Sequence, residues 1–313
     1  MNRIGDIVGG CASLAALLEV SAYPKPGNVH RLRDFPGTRY EHFLASGVSL
    51  APWMGALAAE GARVKDAGED LGEVGLGTHI LGAVEDMLRW QSGGNVHLGV
   101  ILLFAPLAAA AGASAVDGFV EPVGLRGYLR DVIGAATPAD TVGIYRAIGM
   151  AMSRENLGRV EELDVADPSS LGRIAEEGVR PIDVFEASRG RDSISSEWAT
   201  GFSVTFTEGY PYLEEQLRGG DVNESTVNTF LRILSLHPDS LIRRKRGDEA
   251  AWAVSETARR VLDNGGASTV RGMSMLRELD EELSVEKGGL NPGTSADLTA
   301  ASLYVLLLAG WRP

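Results

Sequence analysis

Gln91-Ser-Gly-Gly-Asn-Val-His-Leu-Gly-Val-Ile-Leu-Leu-Phe-Ala-Pro-Leu-Ala-Ala-Ala-Ala-Gly-Ala113 is the stretch on which the fold turns. A Gly-Gly turn hands over to the polar pair Asn95 and His97, and an almost wholly apolar helix is predicted from His97 onward. A helix with no polar face belongs at the centre of its domain. Its first turn leaves backbone N–H groups unpaired at the positive end of the helix dipole, which suits an anion such as phosphate. Gly93 and Gly94 let a ligand come close to the backbone there. The reading that needs no ligand makes Asn95 an N-cap and His97 an interior histidine.

Around this stretch, 313 residues with 44% hydrophobic content are enough to bury a sizeable core. Lys and Arg number 29 against 42 Asp and Glu, a net charge of −13, and no long basic run is present. Nucleic acid and anionic membranes are therefore poor partners. An acidic chain that binds phosphates must gather its few cations locally or recruit a divalent metal. The single cysteine, Cys11, excludes an internal disulfide and a cysteine-based zinc site. Residues 98–113 fall short of the ~20 needed to span a bilayer, and Pro106 interrupts them. No basic region opens the chain as a signal peptide would, so the expected location is the cytoplasm.

Helical periodicity dominates the rest. Helices are predicted over 4–20, 39–60 (with Pro52 as a kink), 76–91, 97–113, 137–155, 170–178, 181–189, 193–207, 223–236, 238–246, 248–263, 267–284 and 295–310. Prolines and glycines make 21–38 a loop, 61–74 reads as a polar connection, and 114–136 as mixed, Gly-rich chain. The alternation Phe202, Val204, Phe206 also fits a short strand. With no convincing set of strands the class is all-α. The acidic stretch 156–169 is the one plausible boundary, and 1–313 is expected to form one domain around two buried apolar helices.

Five stretches carry candidate chemistry. Tyr23-Pro-Lys25-Pro-Gly-Asn28 is stiff, because residues before proline are driven to extended conformations; it presents one ammonium and one amide. Glu85 lies between Leu81 and Leu88 on a helix, where burial would raise its pKa unless a cation compensates; alternatively it pairs with Arg89 on the surface. In Arg191-Asp192-Ser193, the arginine suits phosphate and Asp192 a metal, or Asp192 simply caps the next helix. Asp239 precedes Arg243-Arg-Lys245-Arg, the clearest positive field in the chain, and arginine binds phosphate oxygens bidentately. The same order of charges also complements a helix dipole. Thr294 and Asp297 resemble a capping box that opens a second apolar helix, 298–308. Together these suit a metal–nucleotide complex, although no P-loop or dinucleotide fingerprint is present.

The run Leu17-Leu-Glu-Val-Ser-Ala-Tyr-Pro-Lys-Pro-Gly27 resembles the opening of the triphosphoribosyl-dephospho-CoA synthase family. Glu85 followed by Gly-Gly-Asn-Val-His-Leu-Gly99 is similar to that family's glutamate followed by Gly-Gly-Val-Asn-Thr-His-Lys-Gly. Asp239 with its arginines, and Pro-Gly-Thr-Ser-Ala-Asp-Leu at 292–298, match its later motifs. The resemblance covers roughly 15–113 and 183–310 and is closest to a divergent branch seen in archaea and some methylotrophic bacteria. Two departures stand out. The family's Pro-Gly-Leu-Val-Asp becomes Pro-Gly-Asn28-Val-His30, and its lysine becomes Leu98.

The resemblance implies an all-helical transferase. It takes ATP and 3′-dephospho-CoA, moves the 5-triphosphoribosyl group to a ribose hydroxyl and expels adenine. Displacing adenine builds positive charge on the anomeric carbon, as in glycoside cleavage. On this reading the catalytic candidates are Glu85, Asp239 and His97. Mg²⁺, the expected cofactor, would be held by Glu85, Asp192, Asp239 and Asp297 together with the phosphates. Lys25, Asn28, Gly94, Asn95, Arg191, Arg243 and Lys245 would bind nucleotide and phosphate. The partners are then small molecules, with a homodimer left open. Three other readings stand beside it: a different acceptor in the biosynthesis of a pterin-type one-carbon carrier, a magnesium-dependent ribosyl hydrolase, and a non-catalytic nucleotide-binding protein.

Overall fold

The computed structural model describes residues 2–118, 120–152, 163–165, 167, 169–285 and 288–313. Among them run fifteen α-helices: α1 (Asn2–Ser21), α2 (Tyr40–Ala67), α3 (Leu76–Trp90), α4 (Leu98–Val116), α5 (Pro122–Ala135), α6 (Pro138–Ala151), α7 (Ser170–Glu177), α8 (Pro181–Ser188), α9 (Ser193–Thr200), α10 (Tyr210–Gln216), α11 (Val222–Leu236), α12 (Ser240–Arg246), α13 (Asp248–Asp263), α14 (Val270–Val285) and α15 (Gly293–Leu308). No strand forms among the described residues. Two isolated bridges, His30 with Arg33 and Phe35 with Thr38, fold the loop before α2. The class is all-α, as the periodicity predicts.

The expected central helix is central. Its residues from Val100 to Ser114 are all buried, and those of α15 nearly so. By length and hydropathy α4 could cross a membrane, but 83% of it lies inside the fold, as befits a core helix. Its contact with α2 is made backbone to backbone. A Cβ added at Gly61 would stand 2.1 Å from the carbonyl oxygen of Ala109, and one at Gly112 would stand 1.9 Å from that of Ala58. Only glycine permits this approach. Phe104 of α4 stacks on Tyr304 of α15 with centroids 4.3 Å apart, a contact worth about 0.5–1.5 kcal/mol beyond burial.

Three expectations are corrected. Helix α2 continues to Ala67 through the supposed polar connection, because Gly61, Ala62 and Val64 are buried; it ends at Gly68 in the left-handed conformation. The Gly-rich stretch 114–136 contains α5, which buries Leu125, Leu129, Val132 and Ile133 at helical spacing. Phe202, Val204 and Phe206 do not make a strand: a π-helical turn, Thr205–Gly209, leads into α10. Its start is held by Glu197, whose carboxylate accepts the N–H groups of Val204 (2.8 Å) and Thr205 (2.9 Å). The predicted end of α6 near Glu155 and most of the acidic stretch 156–169 lie outside the described residues.

The loop 22–39 is fixed from outside. The Asn223 side chain accepts from Tyr23 N at 2.9 Å and donates to its carbonyl at 2.8 Å. Asp280 accepts from Gly27 N (3.1 Å) and pairs with Arg33 (3.0 Å). Lys25 and Asn28 are thereby held against the starts of the two buried helices.

Candidate active site

The end of α1, the loop with Lys25, the starts of α4 and α15 and one face of α12 converge on a cavity of about 1010 Å³. Helices α6, α8 and α9 complete its wall. That size sits at the upper limit for small-molecule sites and accommodates more than one nucleotide-sized ligand.

Lys25 is only 1% exposed, yet it lines this cavity. Its Nζ donates to the carbonyl oxygen of Glu19 at 3.0 Å and pairs with the Glu19 carboxylate. Burial pushes the Glu19 carboxyl up, and Lys25 offsets part of that. The ammonium is thus pinned rather than solvated. Asn28 is buried beside it, with Nδ2 on the Pro26 carbonyl at 3.2 Å.

Asp297 faces the cavity near the start of α15. Burial raises its pKa well above the ordinary 3.8, and the neighbouring carboxylates of Glu19, Asp239 and Asp192 raise it further. It accepts no hydrogen bond from the described residues. Opposite it on α4 stands Gly99, where a Cβ would lie 2.1 Å from Asp297 Oδ2. The expected capping box is absent: Thr294 Oγ1 accepts instead from Ser240 N at 3.2 Å, which leaves Asp297 free.

His97 precedes α4 and is 2% exposed. Its Nδ1 meets Ser46 Oγ at 2.8 Å, and Phe43 packs edge-on at 5.2 Å. Nε2 is buried without a partner. Burial, and then the Lys25 charge, lower the imidazole pKa to about 3, so the ring is neutral. Asn95 lines the cavity and caps α4, accepting from Leu98 N at 3.0 Å. Gly94 lies outside the wall, its carbonyl taken by Gln91 Nε2 at 2.8 Å.

The sequence places several residues elsewhere than expected. Glu85 is exposed on α3 and does not reach the cavity. The buried stripe of that helix is Ile80, Ala83, Val84 and Met87, so the next position points to solvent, and Arg89 pairs with Asp86 at 2.5 Å. Asp239, 1% exposed, is a strut rather than a ligand. Its Oδ1 caps α12 at Leu241 N (2.9 Å) and Ile242 N (3.2 Å), while Oδ2 accepts from Ser295 N (2.7 Å) and Oγ (2.8 Å). Asp192 lines the cavity but also caps α9 at Ser195 N, 2.8 Å. Its Oδ2 stands 4.0 Å from Arg244.

On α12 the helical period selects Leu241, Arg244 and Lys245 for the cavity. Arg243 turns away to Asp248 at 2.7 Å, and Arg191 is exposed; both border a smaller adjoining pocket of about 150 Å³. Lys245 donates to the Gly288 carbonyl at 3.1 Å, and its pKa is lowered by burial and by Arg244. Glu19, Arg244 and Asn291 are wall residues absent from the sequence-based set. Glu19 carried a readable signal, a carboxylate between Leu18 and Val20 in an apolar helix. Leu98, in place of the family's lysine, leaves Lys25, Arg244 and Lys245 as the cations among the described lining residues.

No group of three His, Cys, Asp or Glu side chains cages a metal among the described residues. Asp297 and Asp192 line the same cavity, and carboxylates of this kind could hold a magnesium ion only with substrate phosphates completing its shell.

The chain is 27% identical over 296 residues to the 2-(5″-triphosphoribosyl)-3′-dephosphocoenzyme-A synthase of Klebsiella pneumoniae, covering 93% of this chain and 87% of that one. A crystal structure from Archaeoglobus fulgidus, described as a putative triphosphoribosyl-dephospho-CoA synthase, superposes with a TM-score of 0.60 at 25% identity. It covers 82% of this chain and 99% of its own. The sequence profile of the CitG family, ATP:dephospho-CoA triphosphoribosyl transferase, matches residues 6–313, and the chain belongs to that family.

Proposed function

We propose that this chain transfers the 5-triphosphoribosyl group of ATP to a ribose hydroxyl of 3′-dephospho-CoA and releases adenine. The observation that carries the reading is the free Asp297 carboxylate, set opposite Gly99 in a large cavity whose wall also holds Lys25, Arg244 and Lys245. An ionised carboxylate beside a triphosphate needs a counter-ion, and Mg²⁺ held by Asp297 and Asp192 would supply it. When bound, the metal withdraws charge from the phosphate oxygens.

The side chains divide the remaining work. Lys25, Arg244 and Lys245 neutralise phosphate. Lys25 comes already oriented by Glu19, so little ordering is left for the moment of binding. The neutral His97, whose Nε2 has no partner, lies on the wall with Asn28 and Asn95, and the three orient the acceptor ribose. The hydroxyl oxygen bonds to the anomeric carbon as the bond to adenine breaks, and the proton lost by the hydroxyl balances the one gained by adenine. A cytoplasmic site of action fits these substrates and the free, buried Cys11 thiol.

The test is chromatography of adenine released from ATP and Mg²⁺, with and without 3′-dephospho-CoA. Release that requires dephospho-CoA supports the reading. Release to water alone makes the protein a hydrolase, and no release in either case overturns the transfer.

A further inference from the structure

The cavity has two unlike ends. Its cations and Asp297 gather where α4, α12 and α15 meet. Away from them, Thr141, Ile144, Tyr145 and Ile148 of α6 face Val184 and Phe185 of α8. Their spacing along α6 is one helical stripe, and to Ala151 it extends roughly 15 Å at 1.5 Å per residue. The two hydroxyls of this arm bond within the protein. Thr141 Oγ1 donates to the Val179 carbonyl at 2.8 Å, and the Tyr145 hydroxyl to that of Leu163 at 2.8 Å. Glu177, at its edge, pairs with Arg173 at 3.1 Å, and Asp183 accepts from Arg180 N at 3.0 Å. Among the described residues, what remains towards the cavity is apolar wall without a cation, and a phosphate finds no partner on them.

We infer that this arm binds the pantetheine portion of dephospho-CoA, the long amide–alkyl chain that ends in a thiol. The inference rests on the transferase reading above. Of the groups carried by the two substrates, only this one is long, uncharged and rich in methyl and methylene groups. An adenine ring is shorter than the stripe. Seating the chain here leaves both sets of phosphates to the cationic end and carries the acceptor ribose, which follows the diphosphate in dephospho-CoA, to that end as well.

The experiment measures KM for ATP and for dephospho-CoA separately in Ile148→Trp and Val184→Trp, which fill the arm from opposite walls. The expected result is a rise of about tenfold or more in KM for dephospho-CoA with KM for ATP unchanged, the scale on which apolar pockets discriminate. In the unaltered protein, free pantetheine should inhibit competitively against dephospho-CoA; that measurement decides the matter alone if neither variant folds. A KM for ATP that rises in step places adenine in the arm and overturns the inference, as do unchanged constants with no inhibition by pantetheine. A wild-type protein that releases no adenine defeats the transferase reading first and this inference with it.

Discussion

Gly99 of α4 and Asp297 of α15 face each other so closely that a single added carbon at Gly99 would stand 2.1 Å from Asp297 Oδ2. Gly99→Ala must therefore move the carboxylate or part the helices. Misplacement by about 1 Å can cost 10²-fold in rate, and kcat should fall on that scale while helical content is kept. Steady-state adenine release and circular dichroism together check this.

The Lys25–Glu19 pair is buried, so removing one member leaves the other charge uncompensated. Lys25→Met should destabilise the fold by about 3–5 kcal/mol. The double variant Lys25→Met/Glu19→Gln should recover most of that stability in urea unfolding, yet stay inactive. Recovery of activity in the double variant would show that the ammonium does not bind phosphate.

Asp297 should make stability depend on pH. Its folded-state pKa is raised above 3.8 by burial and by neighbouring carboxylates, so the folded chain holds the proton more tightly than the unfolded one. The contribution is fully present below about pH 4 and is lost as pH rises through the folded value. In metal-free buffer, Asp297→Asn should thus melt with the wild type near pH 4 and above it at pH 8, while abolishing turnover. Parallel melting curves across that range would contradict the burial argument.

With the His97 pKa lowered to about 3, no histidine in the cavity titrates near neutrality. The profile of kcat/KM against pH should show no inflection at the usual imidazole value, about 6.5. His97→Leu should leave its shape unchanged and lower only its height.

Asp239 accepts from three backbone N–H groups and one hydroxyl at the starts of two helices. Asp239→Ala removes the cap from α12 and the strut to α15, and should cost about 2–4 kcal/mol in thermal or urea unfolding.

The all-helical class, the two buried helices and most helix positions were legible because apolar period and turn residues act locally. Helix α5 was hidden by Gly124, Gly127 and Gly134, which packing tolerates where propensity does not. Of the site residues the sequence singles out, Lys25, Asn28, Asn95, His97, Asp192, Lys245 and Asp297 line the cavity. Glu85 was misread because two flanking leucines do not fix which side of a helix is inward; the register of Ile80, Val84 and Met87 does. The sequence does not separate Arg244 from Arg243, because a run of cations has no face until the helix it forms is docked. Asp239 had the right chemistry for a ligand, but its four donors arrive from chain 2 to 56 residues away in sequence.

The glycine contacts between α2 and α4 also set a tempo. Backbones that touch through Gly61 and Gly112 cannot slide without first separating, so the amides of α4 should exchange with deuterium only when the whole molecule opens. His97, Leu98 and Gly99 ride on that slowest-exchanging element. Breathing that admits two large substrates then falls to the opposite wall, where α8 and α12 are only eight and seven residues long. Protection factors graded from α4 down to those short helices would trace the route by which the cavity opens.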